Sequence, residues 1–121
     1  MKNTKRYTIF LAGVVIAVVL APSVAREIQG AGKLRIYFFN VGQGDAEFIV
    51  AKDGTQILID GGPNSKVISE LGRVMPYYDN SIDVVILTHP HADHVTGLID
   101  VLRRYKVGMV IESGADYDTA E

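Results

Sequence analysis

The sequence has no cysteine and, beyond its N-terminus, little positive charge. The first absence excludes disulfides, thiolate metal ligands and a thiol nucleophile. Three of the 12 basic residues lie within residues 1–25, which leaves nine against 14 acidic residues, a net charge of −5, in the remainder. No basic surface for nucleic acid is therefore indicated, although a bound metal could supply local positive charge. With 121 residues, 48% hydrophobic and 21% charged, the chain has room for one ordinary domain and is not disordered in composition.

The N-terminus has the organisation of a targeting segment. Residues 1–6 are basic, Ile9–Ala21 is an uninterrupted run of 13 apolar or glycine residues, and a small-x-small triplet follows at 23–25. These features are typical of a cleaved secretory signal peptide. The 13-residue run spans only ~20 Å, but residues 7–25 would span ~28 Å, close to a ~30 Å hydrocarbon core, so an uncleaved transmembrane anchor stays open. Both interpretations predict an extracytoplasmic protein, either secreted or periplasmic, or anchored to the cytoplasmic membrane by residues 7–25.

The rest of the chain predicts an α/β fold with a mixed sheet covered by helices. Short apolar runs between glycine or polar turns favour strands at 34–41, 46–51, 56–60, 84–87 and 107–111. Helical spacing predicts one helix that Asn64 or Ser65 caps and Pro76 ends, and another over Gly97–Tyr105. Four consecutive apolar residues make the fourth strand one that is buried on both faces. The segments predicted to be linker, loop and irregular chain are 26–33, 79–83 and 113–121.

All three histidines fall within six residues, at His89, His91 and His94, with Asp93 among them. Pro90 disfavours a helix at the first of them, and an extended chain directs side chains two residues apart to the same side. Asp93 and His94 are adjacent and project in different directions, so one loop offers two pairs of ligands to two nearby points. The loop follows a buried strand, where open α/β sheets bind ligands, and this predicts a metal site. The alternative is a polar surface loop whose histidines have no function.

The ligand types indicate which metals this site would hold. Imidazole suits zinc foremost, and the carboxylate also admits manganese. Two divalent ions ~3.5–4 Å apart can hold a hydroxide nucleophile and polarise a substrate oxygen at neutral pH. The pattern therefore predicts a hydrolase that uses two divalent metal ions.

These residues closely resemble the metallo-β-lactamase fold superfamily. Its His-x-His-x-Asp-His signature stands at 89–94, and Ile57–Gly62 is similar to its strand that ends in an aspartate. Val41–Ala46 (Val-Gly-Gln-Gly-Asp-Ala) further resembles the hydrolase domain of the competence protein ComEC and its stand-alone bacterial relatives. Asn40 departs from the aspartate that is frequent before this stretch. The resemblance covers Leu34–Ile111 and implies the N-terminal part of an αβ/βα sandwich, with the domain running over 34–121.

The resemblance implies a role for each matching residue. His89 and His91 would bind the first metal, and Asp93 and His94 the second. Asp93 would also take or give a proton as the catalytic acid or base. Asp60 would orient the site from behind the ligands, with a strand-end turn as the alternative.

Two further residues would lie in a loop at the mouth of the site. These are Gln43 and Asp45, whose alternative role is simply to complete the turn that Gly42 and Gly44 form.

The resemblance also implies ligands that this chain lacks. Such domains usually run to ~200 residues or more, and after His94 this sequence has no histidine, with Asp116 and Asp118 too near to serve as substitutes. We therefore expect a fragment or truncated product that leaves one sheet face uncovered, binds metal weakly and is inactive alone.

Three functions follow as candidates. The first is an extracytoplasmic metal-dependent phosphodiesterase or nuclease-like hydrolase with a metal-bound hydroxide, acting on nucleic acid or another phosphodiester. The second is a hydrolase of a small ester, thioester or lactam, since the same ligands serve that chemistry. The third is a membrane-tethered half-domain that binds metal or pairs with another chain without catalysis.

Overall fold

The computed structural model describes residues 2–30 and 32–114, and these form two compact units that divide after residue 31. The first unit is one helix, α1, over Lys2–Gly30. The predicted linker is therefore helical as far as Gly30. Among the described residues, no helix has both the length and the hydropathy of a membrane-crossing segment.

The second unit is a five-stranded mixed sheet with two helices. Its elements are β1 (Arg35–Phe38), β2 (Glu47–Val50), β3 (Gln56–Ile59), α2 (Lys66–Val74), β4 (Ser81–Leu87), α3 (Ala92–Arg104) and β5 (Lys106–Glu112). The strands lie in the order in which they occur along the chain. β1, β2 and β3 are antiparallel neighbours, whereas β3, β4 and β5 are parallel and are joined through the helices. The predicted mixed α/β architecture is confirmed.

Local chemistry explains where α2 begins and ends. Ser65 occupies the N-cap position, and the side chain of Asn64 accepts a hydrogen bond from the Lys66 amide at 3.0 Å. At the other end Met75 is extended, as expected for a residue that precedes a proline. Both predicted boundary signals are confirmed.

Three sequence predictions are wrong in detail. β4 begins at Ser81, inside the predicted loop 79–83, because Asp79 accepts hydrogen bonds from the amide and hydroxyl of Ser81 and so completes the turn earlier. α3 begins at Ala92 instead of Gly97, so its first turn includes the C-terminal part of the histidine run. The strand predicted to be buried on both faces is fully buried only on the helix side at Val85, and its neighbours are half-buried.

The two faces of the sheet differ in their covering. On one face the helices pack over a core whose buried members include Phe48, Leu58, Val85, Val67, Leu71, Leu98 and Val101. On the other, the strand register aligns two rows that run across all five strands. The first row is Ile36, Ile49, Ile57, Val84 and Met109, and the second is Phe38, Glu47, Ile59, Ile86 and Ile111. None of these ten side chains is fully buried, so this surface, which we call the open face, matches the predicted uncovered apolar face.

Candidate metal centre

The histidine run lies at the carboxyl end of β4, between that strand and the first turn of α3. His91 is extended and forms the N-cap of the helix, with φ −74° and ψ 146°. Pro90, immediately before it, cannot donate a hydrogen bond and keeps His89 out of helical conformation. The chain therefore changes from extended to helical within the motif. As a result, His89 and His91 project from extended chain, whereas Asp93 and His94 project from the first turn of α3.

Close backbone approaches hold the first turn of α3 against the neighbouring loops. Gly44 has φ +100°, and a Cβ at this position would overlap the carbonyl of Asp93. A Cβ on Gly97 would overlap the carbonyl of Gly61 in the loop after β3. The Gly61 amide in turn donates to the carbonyl of His94 at 2.7 Å. These glycines therefore place Asp93 and His94 by main-chain packing, which a residue with a Cβ would prevent.

Asp60 is the buried anchor of the site. It follows β3, is 2% exposed, and has φ +56°, the left-handed conformation that aspartate tolerates better than most residues. Its Oδ1 accepts from the Thr88 amide at 2.9 Å, and its Oδ2 accepts from the Thr88 hydroxyl at 2.6 Å. Oδ2 also lies 2.8 Å from Nδ1 of His94, which is 8% exposed. The carboxylate therefore binds both elements that carry the histidines.

The hydrogen bonds fix which nitrogen of each imidazole is free. A carboxylate only accepts, so Nδ1 of His94 carries the proton that it donates to Asp60. The Thr88 hydroxyl gives its single proton to Asp60, so Nδ1–H of His89, 2.9 Å away, donates to the hydroxyl oxygen. In each neutral ring the lone pair is then on Nε2. Metal-binding histidines typically have this arrangement, in which a carboxylate or its relay orients the ring from behind.

Asp60, His89 and His94 each offer a ligand atom, and these atoms lie within 4.8 Å of one another. The His89 and His94 rings are 3.9 Å apart between centroids. The oxygens of Asp60 already accept three hydrogen bonds. Within this group the two histidines are therefore the residues with a nitrogen left to bind a metal. This set of groups, two imidazole rings with a carboxylate behind them, fits a divalent transition metal.

The remaining two residues of the motif lie beside this group. The ring of His91 is exposed and lies 4.6 Å from that of His89 between centroids, on the same side as predicted. Asp93 is half-buried, and its Oδ2 is 3.8 Å from Nε2 of His94, closer than the predicted divergence of these two side chains implied. The ring of His89 thus lies at least as close to that of His94 as to that of His91. The sequence had predicted the ligand pairs His89 with His91 and Asp93 with His94.

The two predicted mouth residues have different surroundings. Asp45 lines an open hollow of about 510 Å³ that Thr88, His89 and His94 also line, and its carbonyl accepts from the Gly62 amide at 3.0 Å. Gln43 is exposed and does not line the hollow. Asp116 and Asp118 lie outside the described residues.

The sequence predicted no role for Glu47, which lines the hollow together with the carboxylates of Asp45 and Asp60. Its side chain lies on the open face, between Phe38 and Ile59 in the strand register. Burial raises its pKa above the ordinary value, the carboxylates of Asp45 and Asp60 raise it further, and His94 opposes them. One signal was present in the sequence: Glu47 is a charged residue in an otherwise apolar strand. The alternation of side chains along a strand does not, however, show which of the two sheet faces lies toward the helices.

Comparison with known proteins agrees with this geometry. A sequence profile of the metallo-beta-lactamase superfamily matches residues 40–119. Human microtubule-associated protein 1S is 36% identical over 85 residues, which are 70% of this chain and 8% of that protein. The bovine protein of the same name is 40% identical over 68 residues, 56% of this chain and 6% of that protein. A Drosophila melanogaster beta-lactamase-like protein 2 homolog is 36% identical over 62 residues, 50% of this chain and 21% of that protein.

The matched stretches thus span between 6% and 21% of the length of these relatives. The profile match covers β2 to β5, the aspartate that ends β3 and the complete histidine run. With a mixed sheet and two oriented imidazoles at the carboxyl end of β4, this chain belongs to the metallo-beta-lactamase superfamily.

Proposed function

We propose that the full-length protein is a metal-dependent hydrolase that cleaves phosphodiesters. The observation that carries the proposal is the hydrogen-bond relay from Asp60, which engages Nδ1 of both His89 and His94 and so leaves Nε2 of each ring as the nitrogen available to a metal. An oriented pair of this kind loses little side-chain entropy on binding a metal. A surface loop whose histidines had no function would not need a buried carboxylate behind them.

Four residues would hold two divalent metal ions, with zinc the first candidate and manganese the second. His89 and His91 would hold one ion, and Asp93 and His94 the other. When bound, such ions lower the pKa of water and draw charge from the oxygen of the scissile bond. Asp60 would fix the position of these ligands through its hydrogen bonds to Thr88, which precedes His89, and to His94.

Asp93 is the proposed proton carrier. Its carboxylate is half-buried and lies 3.8 Å from Nε2 of His94, so it is close to the proposed ligands. From that position it would accept a proton from the attacking water and return one to the leaving oxygen. Asp60 cannot take this role, because its oxygens accept three hydrogen bonds.

The preference for a phosphodiester rests on Val41–Ala46, the stretch that resembles the ComEC hydrolase domain. Its glycine turn lies directly on the backbone of Asp93, so this turn forms part of the wall of the proposed site. A small ester, thioester or lactam is the competing substrate class.

The proposed location is extracytoplasmic, through secretion, export to the periplasm or tethering by residues 7–25. Its support is the basic start, the apolar run and the small-residue triplet of the N-terminus. Fractionation of cells that produce the full-length protein, with N-terminal sequencing of the mature form, tests it. Recovery from the cytoplasm with an intact N-terminus would contradict the proposal.

The activity is tested by supplying the zinc-loaded full-length protein with bis(p-nitrophenyl) phosphate, nitrocefin and a thioester in parallel. We expect turnover of the diester that metal chelation removes and zinc or manganese restores. Turnover of nitrocefin or the thioester alone would support the competing substrate class. The absence of turnover with any of them, together with no metal binding, would contradict a hydrolase.

A further inference from the structure

The hollow beside the metal centre is also lined by an aromatic ring and a carboxylate that do not belong to the histidine motif. Phe38 and Glu47 are cross-strand partners on the open face, and both line the hollow with His89 and His94. Phe38 is 79% exposed in the part of the chain that the structure describes, on the side of the hollow away from the helices. An aromatic ring and a carboxylate together are the groups that bind organic cations, the ring through its face and the carboxylate through its charge.

Glu47 is poorly explained as a structural residue. Among the described residues no hydrogen bond or ion pair to its carboxylate is found, and its register neighbours on either side are Phe38 and Ile59. A carboxylate on an apolar surface loses part of its hydration without compensation, which weakens the fold and requires another reason for its presence.

Glu47 is also poorly placed to be a further metal ligand. The described residues whose ligand atoms cluster within 4.8 Å are Asp60, His89 and His94, and Glu47 is not among them. Together with Asp45 it adds negative charge to the wall of the hollow. That charge would repel a polyanion such as a nucleic acid strand and attract a substrate that carries a positive group near its single phosphate.

We propose that Phe38 and Glu47 form a subsite for an alkylammonium group, so that the substrate is a zwitterionic phosphodiester with a cationic arm. The proposal rests on the proposed phosphodiesterase activity and names its substrate class. The phosphodiester group lies at the metal centre and the ammonium lies against the open face.

The test uses two phosphodiesters that differ at one atom: p-nitrophenyl phosphorylcholine, and p-nitrophenyl 3,3-dimethylbutyl phosphate, in which an uncharged tert-butyl group replaces the trimethylammonium group. In the zinc-loaded full-length protein we expect kcat/KM to favour the choline ester about tenfold, the scale of one partly exposed charge pair plus a cation–π contact. Glu47→Gln should bring the ratio of the two esters close to one, Glu47→Asp should restore part of it, and Phe38→Leu should lower it about threefold.

The control variant is Asp100→Asn, which removes a carboxylate from the surface of α3, where it pairs only loosely with Arg103. It should leave the ratio unchanged. Because each ratio compares two substrates on one protein, partial loss of folded protein does not affect it.

Binding measurements separate this subsite from the activity. Saturation-transfer NMR with phosphocholine and 3,3-dimethylbutyl phosphate should show stronger contact for phosphocholine, and Glu47→Gln should abolish the difference. If that preference is present but neither ester is hydrolysed, the phosphodiesterase proposal fails and the subsite stands. If both esters are hydrolysed equally and Glu47→Gln changes neither readout, the subsite is overturned and the activity stands.

Discussion

The histidine run contains two pairs of residues that the fold treats differently. His89 and His94 are held from behind, directly or through Thr88, by one buried carboxylate. His91 is exposed and Asp93 half-buried, and neither contacts Asp60 in the bonds that fix the first pair. The held pair is oriented by Asp60 before metal binding, whereas the outer pair has the more exposed side chains. Orientation by a buried carboxylate and exposure to solvent thus belong to different residues of one short motif.

The largest expected effect comes from the outer pair. His91→Ala in the full-length protein should lower turnover by orders of magnitude, because it removes a metal ligand. It should leave the melting temperature of the metal-free protein unchanged, since the ring is exposed. Steady-state kinetics and thermal unfolding of the metal-free protein measure the two effects, and a large loss of stability would contradict the distinction between the pairs.

Asp60→Ala should act on the held pair, with a loss of about 10–100-fold in metal affinity, the usual scale for a residue behind the ligands. Unlike His91→Ala, it should also destabilise the metal-free fold, because it leaves the Thr88 amide and the His94 ring without an acceptor. Competition with a chelator and denaturant unfolding provide the measurements. The matched control is Asp100→Asn, whose carboxylate lies on the helix surface, and an equal effect there would remove the special role of Asp60.

Thr88→Val should have a smaller effect, because only the relay to His89 is lost. The hydroxyl links Asp60 to that ring, and the loss of one such hydrogen bond corresponds to about 1 kcal/mol, or roughly fivefold in metal affinity. Thr88→Ser keeps the hydroxyl and should bind metal as the native protein does. If valine and serine behaved alike, the relay would have no part in orienting His89.

The smallest expected effect concerns Glu47, whose pKa is raised by burial and by its acidic neighbours. The folded state then holds the proton of Glu47 more tightly than the unfolded state, so the contribution of this residue to stability is greatest at acid pH and falls as pH rises through its folded-state pKa. Glu47→Gln should therefore raise the melting temperature of the metal-free protein at pH 7 and lose this advantage below pH 4. A stabilisation equal at both pH values would show that the charge is not its cause.

The sequence predicted the mixed sheet, which is confirmed, and singled out the four motif residues and Asp60, because each has a local signal. The signals were a histidine cluster, an aspartate that ends an apolar strand, and the alternation of strands and helices. It placed the start of α3 five residues late, at Gly97, because His91 and Ala92 carry no conventional capping signal.

Long-range contacts account for what the sequence could not show. The grouping of His89 with His94 depends on Asp60, which precedes Thr88 by 28 residues and His94 by 34. The position of Glu47 beside the site depends on strand register, and a shift of one residue would turn it to the helix face. Neither fact has a signature within a single stretch of sequence.

Above all, we propose that Asp60 orients His89 and His94 so that each presents its Nε2 lone pair to one of the two metal ions. Zinc content and diester turnover of the full-length protein, followed through chelation and reloading, test it most directly when the native protein is compared with the His89→Ala/His94→Ala double variant. We expect native turnover to disappear with the metal and return with it, and the double variant neither to retain zinc nor to recover activity. Turnover that survives chelation, or a double variant that binds zinc as tightly as the native protein, would contradict it.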